Sequence, residues 1–215
     1  NKIMTSQIMT EQALKNAMIV HAACGGSSNL IIHLAAIAYH AGLKRPTVQD
    51  WDKVNQLVPR LVDVLPNGPN GYSTAQFFLA GGVPELMLKL RDLDLLETNA
   101  LTCTGLTIED NLNAWEKSDR RKKFQEILFK QDKVDPNEVI YSKDRAMAKG
   151  MTSTLCFPIG NLAPEGAVIK STAIDSSVVD TDGVYRLTGP AKVFSTEKDA
   201  VRAVKGLGNK IIEKG

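Results

Sequence analysis

Apolar and polar positions alternate with a helical period through most of this chain and switch to short β-prone runs near its end. The clearest helical pattern covers residues 30–41. There Leu30, Ile31, Leu34, Ala35, Ile37, Ala38 and Ala41 take up most of the circumference, so this helix is expected to be buried on several sides and to organise the rest. Gly42 supplies its C-terminal stop. Ahead of it, after a short leader, Ala13, Leu14, Ala17, Met18 and His21 share one face behind Thr10 as a cap. That helix runs into Gly25 and Gly26.

Thr47 with Asp50 and Thr107 with Asp110 have the form of capping boxes, in which a hydroxyl and a carboxylate satisfy two backbone donors at a helix start. The first predicts a helix ending near Pro59. The second predicts helical structure to about residue 131, with Ser118 a candidate interruption. Ser73 caps a short helix over 74–80, Gly81 and Gly82 break it, and Pro84 sits in the first turn of the next, which ends by Leu93. Residues 60–71 read as a loop, because charge alternates with Leu61, Val62, Val64 and Leu65 before the double turn signal PNGPNG. Residues 142–149 form one more helical piece, stopped by Gly150.

From about residue 150 the runs 152–157, 167–172, 184–187 and 191–194 are β-prone and separated by Gly and Pro turns, and a helix capped by Ser195 runs to about Lys205. The pattern predicts an α+β chain. A mainly helical part at 1–150 precedes an incomplete β-rich part at 151–215, which is too short to close a barrel or sandwich alone.

Where the two central helices meet, Gly25 and Gly26 permit a tight path, and Ser27, Ser28 and Asn29 offer side-chain oxygens. Free N–H groups, the positive end of a helix and small polar side chains suit a carboxylate or phosphate. The same residues suit a plain polar cap, and periodicity does not choose between the two. His33 lies one turn further in, either as a second-shell donor or as a histidine satisfied inside a helix layer. His33 and His40 share a face but stand about 10 Å apart along the axis, too far for one metal ion. Asn161, ahead of the Pro164-Glu165-Gly166 turn, either faces a cleft or holds the turn. Asp180 and Asp182 lack the glycine and glutamate positions of a calcium loop and read as a turn. The run 120–123 reads as a solvated helix face.

Composition narrows the partners. The 215 residues are 43% hydrophobic and carry a net charge of +2 spread along the sequence, so neither nucleic acid nor a membrane surface is expected. No segment reaches the roughly 18 apolar residues needed to span a bilayer. Cys24, Cys103 and Cys156 are far apart and form no C-x-x-C pair, which fits a reducing cytoplasm. Each is expected to be a small buried hydrophobe.

The segment GGSSN, three further residues and HLAAIA, at 25–38, resembles the GGSTN-x-x-x-HL-x-AIA segment of the dihydroxy-acid and sugar-acid dehydratases, iron-sulfur hydro-lyases that include 6-phosphogluconate dehydratase. AGGVPELMLKL at 80–90, LTCTGLTIEDNL at 101–112, GNLAPEGAVIKSTA at 160–173 and GPAKVFSTEKDAV at 189–201 follow in the family's order. RLVDVLPNGP at 60–69, NAWEKSDRRKKF at 113–124 and TSTLCFPIGN at 152–161 are most similar to its D-xylonate dehydratase branch.

The resemblance implies that 1–150 is the helical part of the family's α/β N-terminal domain and 151–215 the start of its β-barrel-like C-terminal domain. A chain that begins at Asn1 is then expected to be an internal piece. The intact protein would convert D-xylonate or a similar aldonate to the 2-keto-3-deoxy acid, as a cytoplasmic homo-oligomer. The alternatives are 6-phosphogluconate or a branched-chain dihydroxy acid as substrate, or a non-catalytic binding homologue. The family's chemistry uses an iron of the cluster on the leaving hydroxyl, magnesium on the carboxylate side and a serine base. Its residues for those roles lie outside the matched motifs, so this piece alone is expected to be inactive and to ligate neither iron-sulfur cluster nor Mg. Gly25, Gly26, Ser27, Ser28, Asn29 and Asn161 are the candidate substrate contacts.

Overall fold

The computed structural model describes residues 3–207 and 212; the first two residues of the expected leader and the end of the β-rich part lie outside the described residues. After α1 (Thr5–Ile8), the Thr10 hydroxyl accepts from the Ala13 N–H at 3.2 Å and opens α2 (Glu11–Cys24). Helix α2, not the next one, is the central element. Its Leu14 and Met18 enter a cluster with Leu34, Ala38, Trp51, Leu155 and Phe157. Its Ile19, Ala22 and Ala23 enter a larger one built on Leu61, Leu86, Leu90, Leu128, Ile140 and Tyr141.

Helix α3 (Asn29–His40) corrects the expectation of burial on several sides. Only Leu34 and Ala38, one turn apart, are buried, while Ile32 and Tyr39 are 67% and 66% exposed. The apolar character runs round the helix, but this chain supplies neighbours for one stripe of it.

The capping expectations translate directly into helices. Thr47 and Asp50 exchange bonds at the start of α4 (Val48–Leu57), Ser73 and Gln76 at α5 (Thr74–Leu79), and Thr107 and Asp110 at α7 (Ile108–Glu116). Between the last two, α6 (Gly82–Asp92) starts on the second glycine of the expected break, with only Gly81 outside it as the cap. Ser118 ends one helix and caps the next, α8 (Asp119–Asp132), through the Arg121 N–H. Asp135 caps α9 (Pro136–Val139), and Ser142 caps α10 (Lys143–Ala148).

Residues 60–65 form a loop held at both sides by backbone bonds. The Leu61 N–H donates to Ala23 O at 2.8 Å, the Tyr141 N–H to Leu61 O at 2.8 Å and the Asp63 N–H to Val139 O at 3.0 Å. The end of α2 is thereby fixed to the 139–141 segment.

The sheet among the described residues is small. Strands β1 (Leu155–Cys156) and β2 (Ile169–Lys170) pair antiparallel with Leu155 opposite Lys170. By internal contacts the chain forms two units, residues 1–173 and 174–215. In the second, the runs 184–187 and 191–194 form no extended strand, although Val179 bridges Tyr185. β-prone side chains make a strand only where another strand meets their backbone. Arg186 there pairs with Asp180 at 2.5 Å and Asp182 at 2.9 Å, so both carboxylates serve the turn. Thr196, one residue after the expected Ser195, caps α11 (Glu197–Val204). Among the described residues no helix is long and apolar enough to cross a membrane.

Candidate functional site

Helix α2 ends in two backbone bonds. The Gly25 N–H donates to Ala22 O at 3.2 Å and the Gly26 N–H to His21 O at 2.9 Å, the paired pattern of a Schellman cap. Gly25 stands at φ 66°, ψ 46°, in the left-handed region, and a Cβ on it would lie 2.9 Å from Thr154 Cγ2 and 3.2 Å from Arg60 Cδ. Both conformation and space therefore select glycine.

The start of α3 differs from the expected ring of free donors. The Leu30 N–H bonds Ser27 O at 3.1 Å and the Ile31 N–H bonds Ser28 O at 3.2 Å, while Ser27 Oγ accepts from the Asn29 N–H at 3.3 Å. Ser28 sits at the cap position in helical conformation and makes no side-chain cap. At Ser27 and Ser28 the backbone N–H groups and both hydroxyl protons have no acceptor among the described residues.

Both serines line a pocket of about 330 Å³. Gly25, Gly26, Ser27 and Ser28 form one wall with Cys24, residues 64–67 a second, and Thr154, Leu155 and Lys170 a third. Lys170 is the one basic side chain in this lining, and no carboxylate belongs to it. Cys24 is half-buried, and burial pushes its thiol up, so it stays neutral.

Beneath the second wall lies a polar network. Asp63 is fully buried. Its carboxylate accepts from Tyr141 OH at 2.8 Å, Asn70 Nδ2 at 2.5 Å and the Asn70 N–H at 3.2 Å. Arg60, also buried, donates through one terminal nitrogen to Asn67 O at 3.2 Å and through the other to Met151 Sδ at 3.2 Å. Burial pulls its guanidinium below the ordinary arginine value, against the opposing charge of Asp63. Asn67 Nδ2 donates to Gly25 O at 2.7 Å, and Thr172 Oγ1 donates to Asn67 Oδ1 at 3.2 Å.

Of the six candidate contacts, Gly25, Gly26, Ser27 and Ser28 come together at the pocket. Asn29 is exposed and outside its lining. Asn161 is exposed in a turn where Gly160 and Ala163 exchange backbone bonds, also outside the lining. His33 is exposed rather than satisfied inside a helix layer, and it does not line the pocket. Asn67, Thr154 and Lys170 were not singled out by sequence reasoning. The doubled Asn-Gly of PNGPNG signalled a turn but not what its side chains reach.

The cysteines also depart from expectation. Cys103 and Cys156 are exposed, the first in the turn before Gly105 and the second outward on β1 beside buried Leu155. Among the described residues no three His, Cys, Asp or Glu side chains are grouped to hold a metal ion.

Family models for the dihydroxy-acid/6-phosphogluconate dehydratase N-terminal and C-terminal parts match residues 1–111 and 138–215. The chain belongs to this dehydratase family. It is 54% identical over 203 residues to D-xylonate dehydratase YagF of Escherichia coli and 53% identical over 203 residues to D-xylonate dehydratase YjhG of the same organism. In both matches 94% of this chain covers 31% of the relative, so the chain spans about a third of their length. A dihydroxy-acid dehydratase of Picrophilus torridus is 36% identical over 213 residues, 98% of this chain and 33% of that protein.

Proposed function

We propose that this chain is part of a hydro-lyase that removes water from D-xylonate, or a closely similar aldonate, to give the 2-keto-3-deoxy acid. Identity of 54% to a protein named for that activity, against 36% to a dihydroxy-acid dehydratase, supports the sugar acid over the branched-chain acid. The observation that carries the reading is the pocket itself. Lys170 is its basic side chain, its lining holds no carboxylate, and Ser27 and Ser28 bring backbone and hydroxyl donors to one wall. An aldonate is a carboxylate on a hydroxylated chain, and these donors match both parts.

In this reading Lys170 and the Ser27 and Ser28 donors hold and orient the acid, while Asn29, Asn161 and His33 contribute no direct contact. Residues 1–150 belong to the N-terminal domain and 151–215 open a β-barrel-like C-terminal one. The described residues offer no group of three His, Cys, Asp or Glu side chains, and do not bring the three cysteines together, for the iron-sulfur cluster and magnesium that the family resemblance implies. Their ligands would come from elsewhere in the intact protein, which is taken to be a cytoplasmic homo-oligomer. The contribution derived for this chain is binding and orientation.

Ser28→Ala and Lys170→Met in the full-length protein test the reading. Each should raise KM for D-xylonate about tenfold at equal iron content, the size of one lost hydrogen bond or charge contact. Unchanged KM in both would remove the pocket from the substrate path. Faster turnover of 6-phosphogluconate than of D-xylonate would overturn the substrate.

A further inference from the structure

We infer that Asn67 is a positioning residue of this pocket, one side chain that ties together the two arms carrying its polar groups. The inference rests on the pocket being the sugar-acid site. Asn67 is 42 residues from Gly25 and 105 from Thr172, yet its amide bonds both, at 2.7 Å and 3.2 Å. Ser27 stands two residues after Gly25, and Lys170 two residues before Thr172. The amide therefore sets the separation of the groups proposed to meet the acid.

The chemistry requires an amide. Gly25 O can only accept, so it takes the Nδ2 donor, and this leaves Oδ1 to accept from the Thr172 hydroxyl. The orientation of the side chain follows from its two partners. Each anchor is fixed on its other side as well. Gly25 is held in its left-handed turn against Thr154 and Arg60, and Arg60 bonds the Asn67 carbonyl from below at 3.2 Å. Thr172 follows Ser171, whose N–H donates to Thr154 O at 2.9 Å and whose hydroxyl donates to Ser153 O at 2.6 Å. Asn67 is the side chain that hydrogen-bonds both braced segments, beside the packing they share at Thr154.

The test uses Asn67→Ala, Thr172→Val and the double variant in the full-length, metal-loaded protein, with Ser28→Ala and Lys170→Met alongside. Asn67→Ala should raise KM for D-xylonate about tenfold with kcat little changed, as expected when hydrogen bonds that set a binding geometry are lost. Thr172→Val keeps the shape, removes one bond and should raise KM about threefold. The double variant should be no worse than Asn67→Ala, because one linkage is being broken twice. If Ser28→Ala and Lys170→Met raise KM but neither Asn67→Ala nor Thr172→Val does, the pocket stands and the positioning role falls. The role also falls if the Asn67 and Thr172 effects simply add. If none of the variants moves KM, the site reading itself is wrong and takes the inference with it. Should Asn67→Ala fail to fold, Thr172→Val alone decides, since an unchanged KM in that variant overturns the linkage.

Discussion

The His21 ring occupies the space that any side chain on Gly26 would take: a Cβ there would stand 2.3 Å from His21 Cδ2 and 2.8 Å from Nε2. The same Nε2 meets Ser27 O at 2.8 Å, so the turn between α2 and α3 is clasped by the helix it leaves. Gly26→Ala must therefore displace either the ring or the turn. The expected cost is about 2 kcal/mol, as for overpacking elsewhere, read as a lowered denaturation midpoint, together with a raised KM because Ser27 and Ser28 shift. An alanine variant of wild-type stability would show that the ring moves aside freely.

His21 also predicts a pH dependence of stability. A carbonyl oxygen only accepts, so Nε2 carries the proton, and Nδ1 is buried without a partner among the described residues. The ring stands edge-on to Trp51 at 5.2 Å. Burial lowers its pKa below the ordinary 6.5, and the bond to Ser27 opposes this only in part. Below pH 6.5 the unfolded chain takes up a proton that the folded one refuses, so this contribution is whole above that value. It is lost as pH falls from there toward the depressed native value. Denaturation midpoints measured across that window should decline in the wild type, and the decline should be shallower in His21→Gln, which keeps a donor for Ser27 O. Equal slopes would remove His21 as the cause.

Away from the pocket, Arg121 grips Glu85 with two bonds, Nε to Oε2 at 2.6 Å and a terminal nitrogen to Oε1 at 2.8 Å. Glu85 is buried, Arg121 is partly open to solvent, and the pair pins α6 to α8. Arg121→Ala leaves the carboxylate buried with only the long Trp115 Nε1 contact at 3.4 Å. The variant should lose about 3 kcal/mol, whereas the double change Arg121→Met with Glu85→Leu should recover most of it, since the penalty comes from the stranded charge. Chemical denaturation of the two variants separates these outcomes, and equal losses would contradict the argument.

What the sequence discloses is mainly what is local. The boxes at Thr47–Asp50 and Thr107–Asp110 were legible because a cap is decided within four residues, and the interruption at Ser118 for the same reason. Helix α3 is less covered than its pattern predicts, because apolar residues state which faces prefer cover, not whether this chain provides it. The runs 184–187 and 191–194 failed in the same way, since a strand depends on a partner that local propensity does not reveal. At the pocket, the GGSS turn could be found from its composition. Asn67 could not, because its meaning lies in contacts 42 and 105 residues away, and a turn signal carries no information about them.

The network under the pocket should control it from a distance. Asp63 takes three donors and holds the loop that carries Asn67, and Tyr141 supplies the donor that comes from a different part of the core. Tyr141→Phe keeps the packing but leaves a buried carboxylate one bond short, at an expected cost of about 2 kcal/mol. Because the loosened loop is the one that sets Asn67, KM for the proposed sugar acid should rise as well, although Tyr141 does not line the pocket. The same tyrosine predicts an alkaline limit. Burial and the Asp63 hydrogen bond push its hydroxyl well above the ordinary 10.0, so the unfolded state loses that proton first. Its contribution to stability is therefore intact below pH 10.0 and declines as pH rises beyond it. Tyr141→Phe should abolish that part of the alkaline decline, while a matching decline in the variant would assign it to other groups. A variant less stable but with unchanged KM would mean that the loop keeps its shape without the tyrosine, and that Asp63 and Asn70 suffice to hold it.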